Sequence, residues 1–363
     1  MVLLACLVCA AAPETSEVFV AARDGFVSIR IPAVVVTRRG TVLAFAEGRA
    51  AHADQARNKI VLKRSSDAGR TWSPLAVVAA DQPHALNNPC AVVVGETGRV
   101  LLMYQRYPGH LREGSRQTAV GYDGPDVVRS LLVWSDDDGL TWSAPRDLTR
   151  QVKRPERATT ICSGPGIGIQ LTRGPHRGRL VFPFNEGPFG RWQNYVVYSD
   201  DRGETWRWGE DVPGALVADP KGERSQINEV QVAELSDGSL RLNSRPMAGA
   251  RLRKTAVSRD GGVTWSPVAD VPEQPGPACM ASLLRWRDKL VFSGPESTKR
   301  ENGTVYLSSD DGATWPVKRV LTPGFFAYSV LTGLPDGRLG CLYEGEGGTI
   351  FFARFGLDWV GGG

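Results

Sequence analysis

A chain of 363 residues with 42% hydrophobic content is long enough to bury a large core. Its 43 Lys and Arg against 39 Asp and Glu leave a formal charge of only +4, so the composition carries no electrostatic footprint of a nucleic-acid binder. Beyond the first dozen residues no apolar run approaches the length of a membrane span, and stable membrane insertion is not expected.

Residues 1–12, MVLLACLVCAAA, form a short apolar run ending in small residues. They read as a signal peptide or its remnant, without the usual basic n-region, and imply a secreted or periplasmic protein. Cys6 and Cys9 would leave with that segment. The other four cysteines, Cys90, Cys162, Cys279 and Cys341, are widely spaced without metal-ligand pairing, so buried thiols are expected. Next comes SIRIPAVVV, residues 28–36, an apolar run that holds Arg30 between Ile29 and Ile31 and is interrupted by Pro32. Pro removes a ladder donor, so this run reads as an edge strand. Alternation places Ser28 and Arg30 on one face and the two isoleucines on the other.

One pattern, Ser-x-Asp-x-Gly-x-Thr-Trp, then recurs five times: SSDAGRTW at 65, SDDDGLTW at 135, SDDRGETW at 199, SRDGGVTW at 258 and SSDDGATW at 308. Asp and Ser can bond to the local backbone to close a turn, Gly supplies a left-handed conformation, and Trp anchors the turn on the sheet below. A strand-like run precedes each box, for example KIVLKRS at 59 and SLLVWS at 130. The basic stretch RDLTRQVKRPER from Arg146 has no interleaved aromatic residues and reads as a solvated loop. No long amphipathic helix is evident. The boxes are spaced to suit one four-stranded blade each, which predicts an all-β, six-bladed β-propeller of antiparallel sheets over residues 13–363. The sixth blade lacks a box and should be closed from both chain ends. The innermost strand of a blade is an edge facing the axial channel, where Arg30 could reach the channel mouth.

SIRIPAVVV resembles the Arg-Ile-Pro motif of sialidases, and the five boxes resemble the Asp-boxes of that family, over about Val18 to Asp358. The resemblance implies an exo-α-sialidase, a retaining glycoside hydrolase acting on sialylated glycans, with no metal or organic cofactor and as a monomer. It implies three arginines gripping the substrate carboxylate, matched by Arg30, Arg245 in LRLNSRP and Arg300 in STKRENGTVYLS. A planar guanidinium suits that task because it pairs bidentately and stays charged when partly buried. Tyr328 in FFAYSVLTG matches the nucleophile and Glu229 in INEVQV matches its base, a two-carboxylate exception already recognised for sialidases. A neutral phenol avoids the repulsion a carboxylate would meet beside the substrate's own carboxylate, but it must lose its proton as it attacks.

Asp54 matches the acid/base aspartate. The following Gln55-Ala56-Arg57-Asn58-Lys59 departs from the acidic run of many bacterial relatives, and this local positive charge favours the ionised carboxylate. His52 reads as a loop histidine. Arg49 resembles an additional pocket arginine, Asn88 a polar group near the sugar hydroxyls, and Glu344 an acid that orients Arg30, since a buried cation cluster needs such partners. Loops such as RYPGHLREG and NEGPFGRWQN would line the N-acyl and glycerol subsites. Two alternatives remain open at this level: the same machinery acting on another ulosonic acid, such as a deaminated sialic acid or a Kdo-type sugar, and a non-catalytic propeller that binds acidic glycans.

Overall fold

Short β-branched and aromatic runs separated by turns assemble into six sheets of four or five strands, ordered around a ring in the computed structural model, which describes residues 11–220 and 222–362. The proposed leader therefore lies outside the described residues, apart from Ala11 and Ala12. Blade 1 runs through Ser28–Val36, Val42–Arg49, Lys59–Ser65 and Ala76–Ala79. Blades 2 to 5 repeat the order, with innermost strands Ala85–Val93, Ile161–Ser163, Val230–Glu234 and Ser282–Trp286. Blade 6 holds Ser329–Gly333, Leu339–Glu344 and Thr349–Phe355, and its outermost strand is Glu14–Val20. The two ends of the chain thus close one sheet, as the missing sixth box predicts. Glu14 reinforces the closure by pairing with Arg354 at 2.9 Å and Arg338 at 2.7 Å.

Each box is a hydrogen-bonded turn between the third and fourth strands of its blade. In the second, the Ser135 hydroxyl donates to Asp137 Oδ1 at 2.8 Å, while the Thr141 amide and hydroxyl both donate to the same carboxylate. Those donors hold the Asp137 carboxyl down at about 2. The boxes also join blades, which the sequence pattern alone does not reveal. Trp72 of blade 1 meets Phe352 of blade 6 edge-on at 5.4 Å, and Trp142 of blade 2 meets Phe45 of blade 1 at 5.6 Å. Gly69 has φ of 90°, and a Cβ there would lie 2.2 Å from the Phe352 ring. Corresponding glycines in the next three boxes press on Leu43, Leu101 and Val196 of the preceding blade. Left-handed backbone and close approach together require glycine at these positions.

Two sequence readings need correction. First, alternation fails at Ile31, which has φ of 61°, and the register slips by one residue between Arg30 and Ala33. This bulge before Pro32 turns Ile31 toward the same cavity as Arg30 instead of the opposite face. Blade 2 repeats the device at Asn88, with φ of 57° before Pro89. Second, the stretch from Arg146 is not simply a solvated loop. It contains the one-turn helix Thr149–Val152, and Lys153 and Arg154 are buried. Acids of the third blade and its loop draw Arg154 in: its guanidinium reaches Glu186 at 3.1 Å and Asp211 at 2.6 Å, and it lies over the Tyr195 ring at 4.1 Å.

Candidate active site

Register fixes which end of each sheet can carry chemistry. In blade 1, Val42 pairs with both Val36 and Ser65, so the first turn and the box share one end. Arg30, Glu47, Arg49 and the loop that carries Asp54 lie at the other end. There, a cavity of about 250 Å³ opens at the channel mouth. Arg30, Arg49, Asp54, Asn88, Glu229, Arg245, Arg300 and Tyr328 all line it. Glu344 stands behind Arg30, so every site residue expected from the sequence is brought together.

Tyr328 occupies the centre. Its hydroxyl lies 2.6 Å from each Glu229 carboxylate oxygen and accepts from Arg245 Nη1 at 2.9 Å. The same Nη1 donates to Glu229 Oε2 at 2.6 Å, so phenol, acid and guanidinium form a closed triangle. Burial pushes the phenol well above its usual value, and the Glu229 carboxylate adds to the effect against the opposing pull of Arg245 and Arg30. The resting phenol is therefore neutral, and Glu229 is the group in reach to take its proton.

The three arginines converge on this ring. The Arg30 and Arg300 guanidinium carbons lie 5.3 and 5.4 Å from the Tyr328 ring centre, within cation–π range. Glu344 grips Arg30 bidentately, at 3.2 Å to Nε and 2.8 Å to Nη2, and also accepts from the Ile31 amide at 2.8 Å. The bulge at Ile31 thereby points a backbone donor and the neighbouring side chain at the same acid. Burial works against the charge on Arg30, but the Glu344 carboxylate outweighs it and the guanidinium stays protonated. For Arg245, burial is likewise outweighed, by the paired Glu229 carboxylate. Arg300 donates to the Ala278 carbonyl at 3.1 Å and makes no ion pair among the described residues. Its charge is left available to an incoming anion.

Asp54 projects from the loop with its side chain 70% exposed and accepts from Arg49 Nη1 at 2.8 Å. Arg49, not Arg57 or Lys59, is the cation paired with it among the described residues. His52 is exposed and lines a neighbouring groove. Behind Arg49 lies Glu47, a fully buried acid that the sequence reading missed. It accepts from Arg49 Nε at 2.9 Å, the Asn88 amide at 2.7 Å, and the side-chain amides of Asn58 and Asn87 at 3.1 and 3.2 Å. Burial raises its carboxyl, with Arg49 and the Asn88 amide pulling the other way. Glu47 and Arg49 stand two residues apart on one strand, so the alternation signal was available.

Both candidate subsite loops face the cavity. RYPGHLREG supplies Tyr107 and Glu113, and NEGPFGRWQN supplies Asn185, Phe189 and Trp192. Glu113 accepts from the Thr160 hydroxyl at 3.0 Å, and burial raises its carboxyl despite that bond. No local pattern singles out a lone loop acid of this kind. Cys162 also lines the wall, and all four described cysteines are free and buried.

Fold and site define a BNR-repeat propeller with an arginine-lined cavity. The model of a BNR repeat-like domain matches residues 28–341. The chain is 39% identical over 359 residues to a sialidase of Micromonospora viridifaciens, covering 94% of this chain and 53% of that one. It is 32% identical over 378 residues to the mouse protein Sialidase-2, covering 92% and 94% respectively. Among solved structures, the Hadza microbial sialidase Hz136 superimposes with a TM-score of 0.82 at 29% identity, over 95% of this chain and 69% of that one. The chain belongs to the sialidase family, and it spans about half the length of the Micromonospora viridifaciens protein.

Proposed function

We propose that the protein is an exo-acting, retaining sialidase. The observation that carries this reading is the triangle of Tyr328, Glu229 and Arg245 flanked by Arg30 and Arg300. In the proposed reaction the three guanidinium groups hold the carboxylate of a terminal sialic acid, leaving its anomeric carbon above the phenol. Tyr328 attacks that carbon as Glu229 takes the phenolic proton, and Asp54 protonates the departing glycosidic oxygen. A tyrosyl glycoside results. Asp54 then takes a proton from water, the water oxygen bonds to the anomeric carbon, and the bond to Tyr328 breaks as Glu229 returns its proton to the phenoxide. Two inversions retain the configuration.

The electrostatics favour the nucleophile's role. A neutral nucleophile meets no repulsion from the bound carboxylate, and fixed cations around it stabilise the negative oxygen as it forms and leaves. Asp54 is exposed before substrate arrives, and a sugar seated in the cavity would cover it. The two carboxylates facing the reaction therefore begin in different settings, one on the phenol and one at the rim. Proton NMR of an α-linked sialoside during turnover tests the reading: the α-anomer of the free sugar should appear first. First appearance of the β-anomer would refute the double displacement, and no release from any α-sialoside would refute the activity.

A further inference from the structure

A second recess of about 490 Å³ adjoins the catalytic cavity and shares Arg30 with it. Val27 and Phe325 give it an apolar surface, and His52 closes one side. Val27 is 53% exposed and Phe325 40% exposed, two of the eight large apolar side chains left exposed among the described residues. A third member of that set, Phe189, lines the catalytic cavity. Gly347 and Gly348 form part of the rim, and a Cβ on either would meet nothing within 4 Å. The groove is thus open from above. Its walls are also tied to the site: the Val27 amide donates to the Arg49 carbonyl at 3.1 Å, and the Phe326 amide donates to the Arg300 carbonyl at 3.0 Å.

Geometry decides what could lie there. On the sialidase reading, on which this inference rests, the leaving oxygen and the carboxylate share one carbon. The carboxylate sits at Arg30 and the leaving oxygen faces Asp54, both contributed by blade 1. The chain beyond that oxygen must then depart along the flank of Arg30 next to the Asp54 loop, which is where the groove begins, with His52 two residues from Asp54. We propose that this groove is the leaving-group subsite and that it favours an aglycone bearing an apolar chain or ring. Glu344, which pairs with Arg30, also lines the groove, and the exposed apolar side chains it offers to the aglycone are Val27 and Phe325.

The test compares kcat/KM for methyl, octyl and lactose-linked α-sialosides in the wild-type protein and in Val27→Ser and Phe325→Ser. Taking each variant relative to wild type on the same substrate cancels intrinsic leaving-group reactivity. The octyl glycoside should fall about tenfold, the scale for losing an apolar contact in a specificity pocket, while the methyl glycoside keeps its wild-type value. Val27→Trp, which fills the groove from an exposed position, should impair the octyl glycoside and spare the methyl one even if Phe325→Ser folds poorly. Equal losses on the lactoside and the octyl glycoside would show a sugar-binding groove and overturn the apolar assignment. Unchanged octyl turnover in all three variants would overturn the subsite. If the wild-type protein turns over none of the three substrates, it is the hydrolase reading itself that fails.

Discussion

The two ends of the blades are built on opposite plans. At one end, five nearly identical boxes use the same Ser, Asp, Gly, Thr and Trp to close a turn and to press its glycine on the preceding blade. At the other end the contributions differ from blade to blade in type, position or both. Blade 1 gives Arg30 and Arg49, blade 2 and its connection give Asn88 and Glu113, and the later blades supply Glu229, Arg245, Arg300 and Tyr328. Repetition serves stability because each inter-blade joint is the same problem. Chemistry needs the reverse, since a single reacting carbon must be approached by different groups from different directions.

Substitutions at the two ends should therefore fail in different ways. Tyr328→Phe removes the only phenol in the triangle and should lower kcat for an activated sialoside at least about 10⁴-fold, as losing a nucleophile does elsewhere, with the melting temperature little changed. Stopped-assay fluorimetry beside calorimetry separates the two effects. Asp54→Asn should cost about 10²–10⁴-fold on a glycoside with a poor leaving group. With a nitrophenolate, which departs without a proton, the loss in the first step should shrink, and an equal loss on both substrates would deny Asp54 the acid role. Glu344→Gln leaves Arg30 with one fewer charged acceptor and should raise KM about tenfold, from ~1.5 kcal/mol for a hydrogen bond to a charged group.

At the far end the expected change is smaller and purely thermal. Asp137→Asn should lower the melting temperature by about 1–2 °C, the shift that ~1 kcal/mol produces in a domain of about 350 residues, with turnover unchanged. The pH dependence follows from the depressed carboxyl. Its ordinary value is 3.8 and in the fold it is about 2. The folded state therefore binds the proton less readily, so the contribution is present above 3.8 and is lost as pH falls through about 2. The gap between wild type and Asp137→Asn should narrow over that window when unfolding is followed by circular dichroism. A gap that widens on acidification would contradict the assignment.

The boxes made the architecture readable, because a turn that needs five particular side chains leaves a local trace wherever it recurs. Arg30 stood out as a cation in an apolar edge strand, but Arg245, Arg300, Tyr328, Glu229 and Asp54 were legible only through family resemblance: nothing in their own neighbourhoods says that positions so far apart meet. Glu47 could have been found from its i, i+2 relation to Arg49. Glu113 could not, since a lone loop acid gains meaning only from the walls that bury it. The face of Ile31 was misread for a related reason. Alternation assumes an unbroken ladder, and a non-glycine residue at φ of 61° before a proline breaks it without a distinctive sequence sign. Arg154 shows the same limit for charge, because its acidic partners Glu186 and Asp211 come from elsewhere in the chain.

The closure of blade 6 has a temporal side. Glu14 is paired with Arg354 and Val20 with Thr349, so this strand finds its neighbour only after the five blades that lie between them in sequence have been made. Until then its row of amide and carbonyl groups stands open to any passing strand, a recognised route to mispairing. Such distant pairing also slows the final step of assembly. Once that strand is seated, opening the ring requires peeling away a whole edge together with the Glu14 ion pairs, which makes this seam the natural place for unfolding to begin and the first place to look when seeking a longer-lived variant.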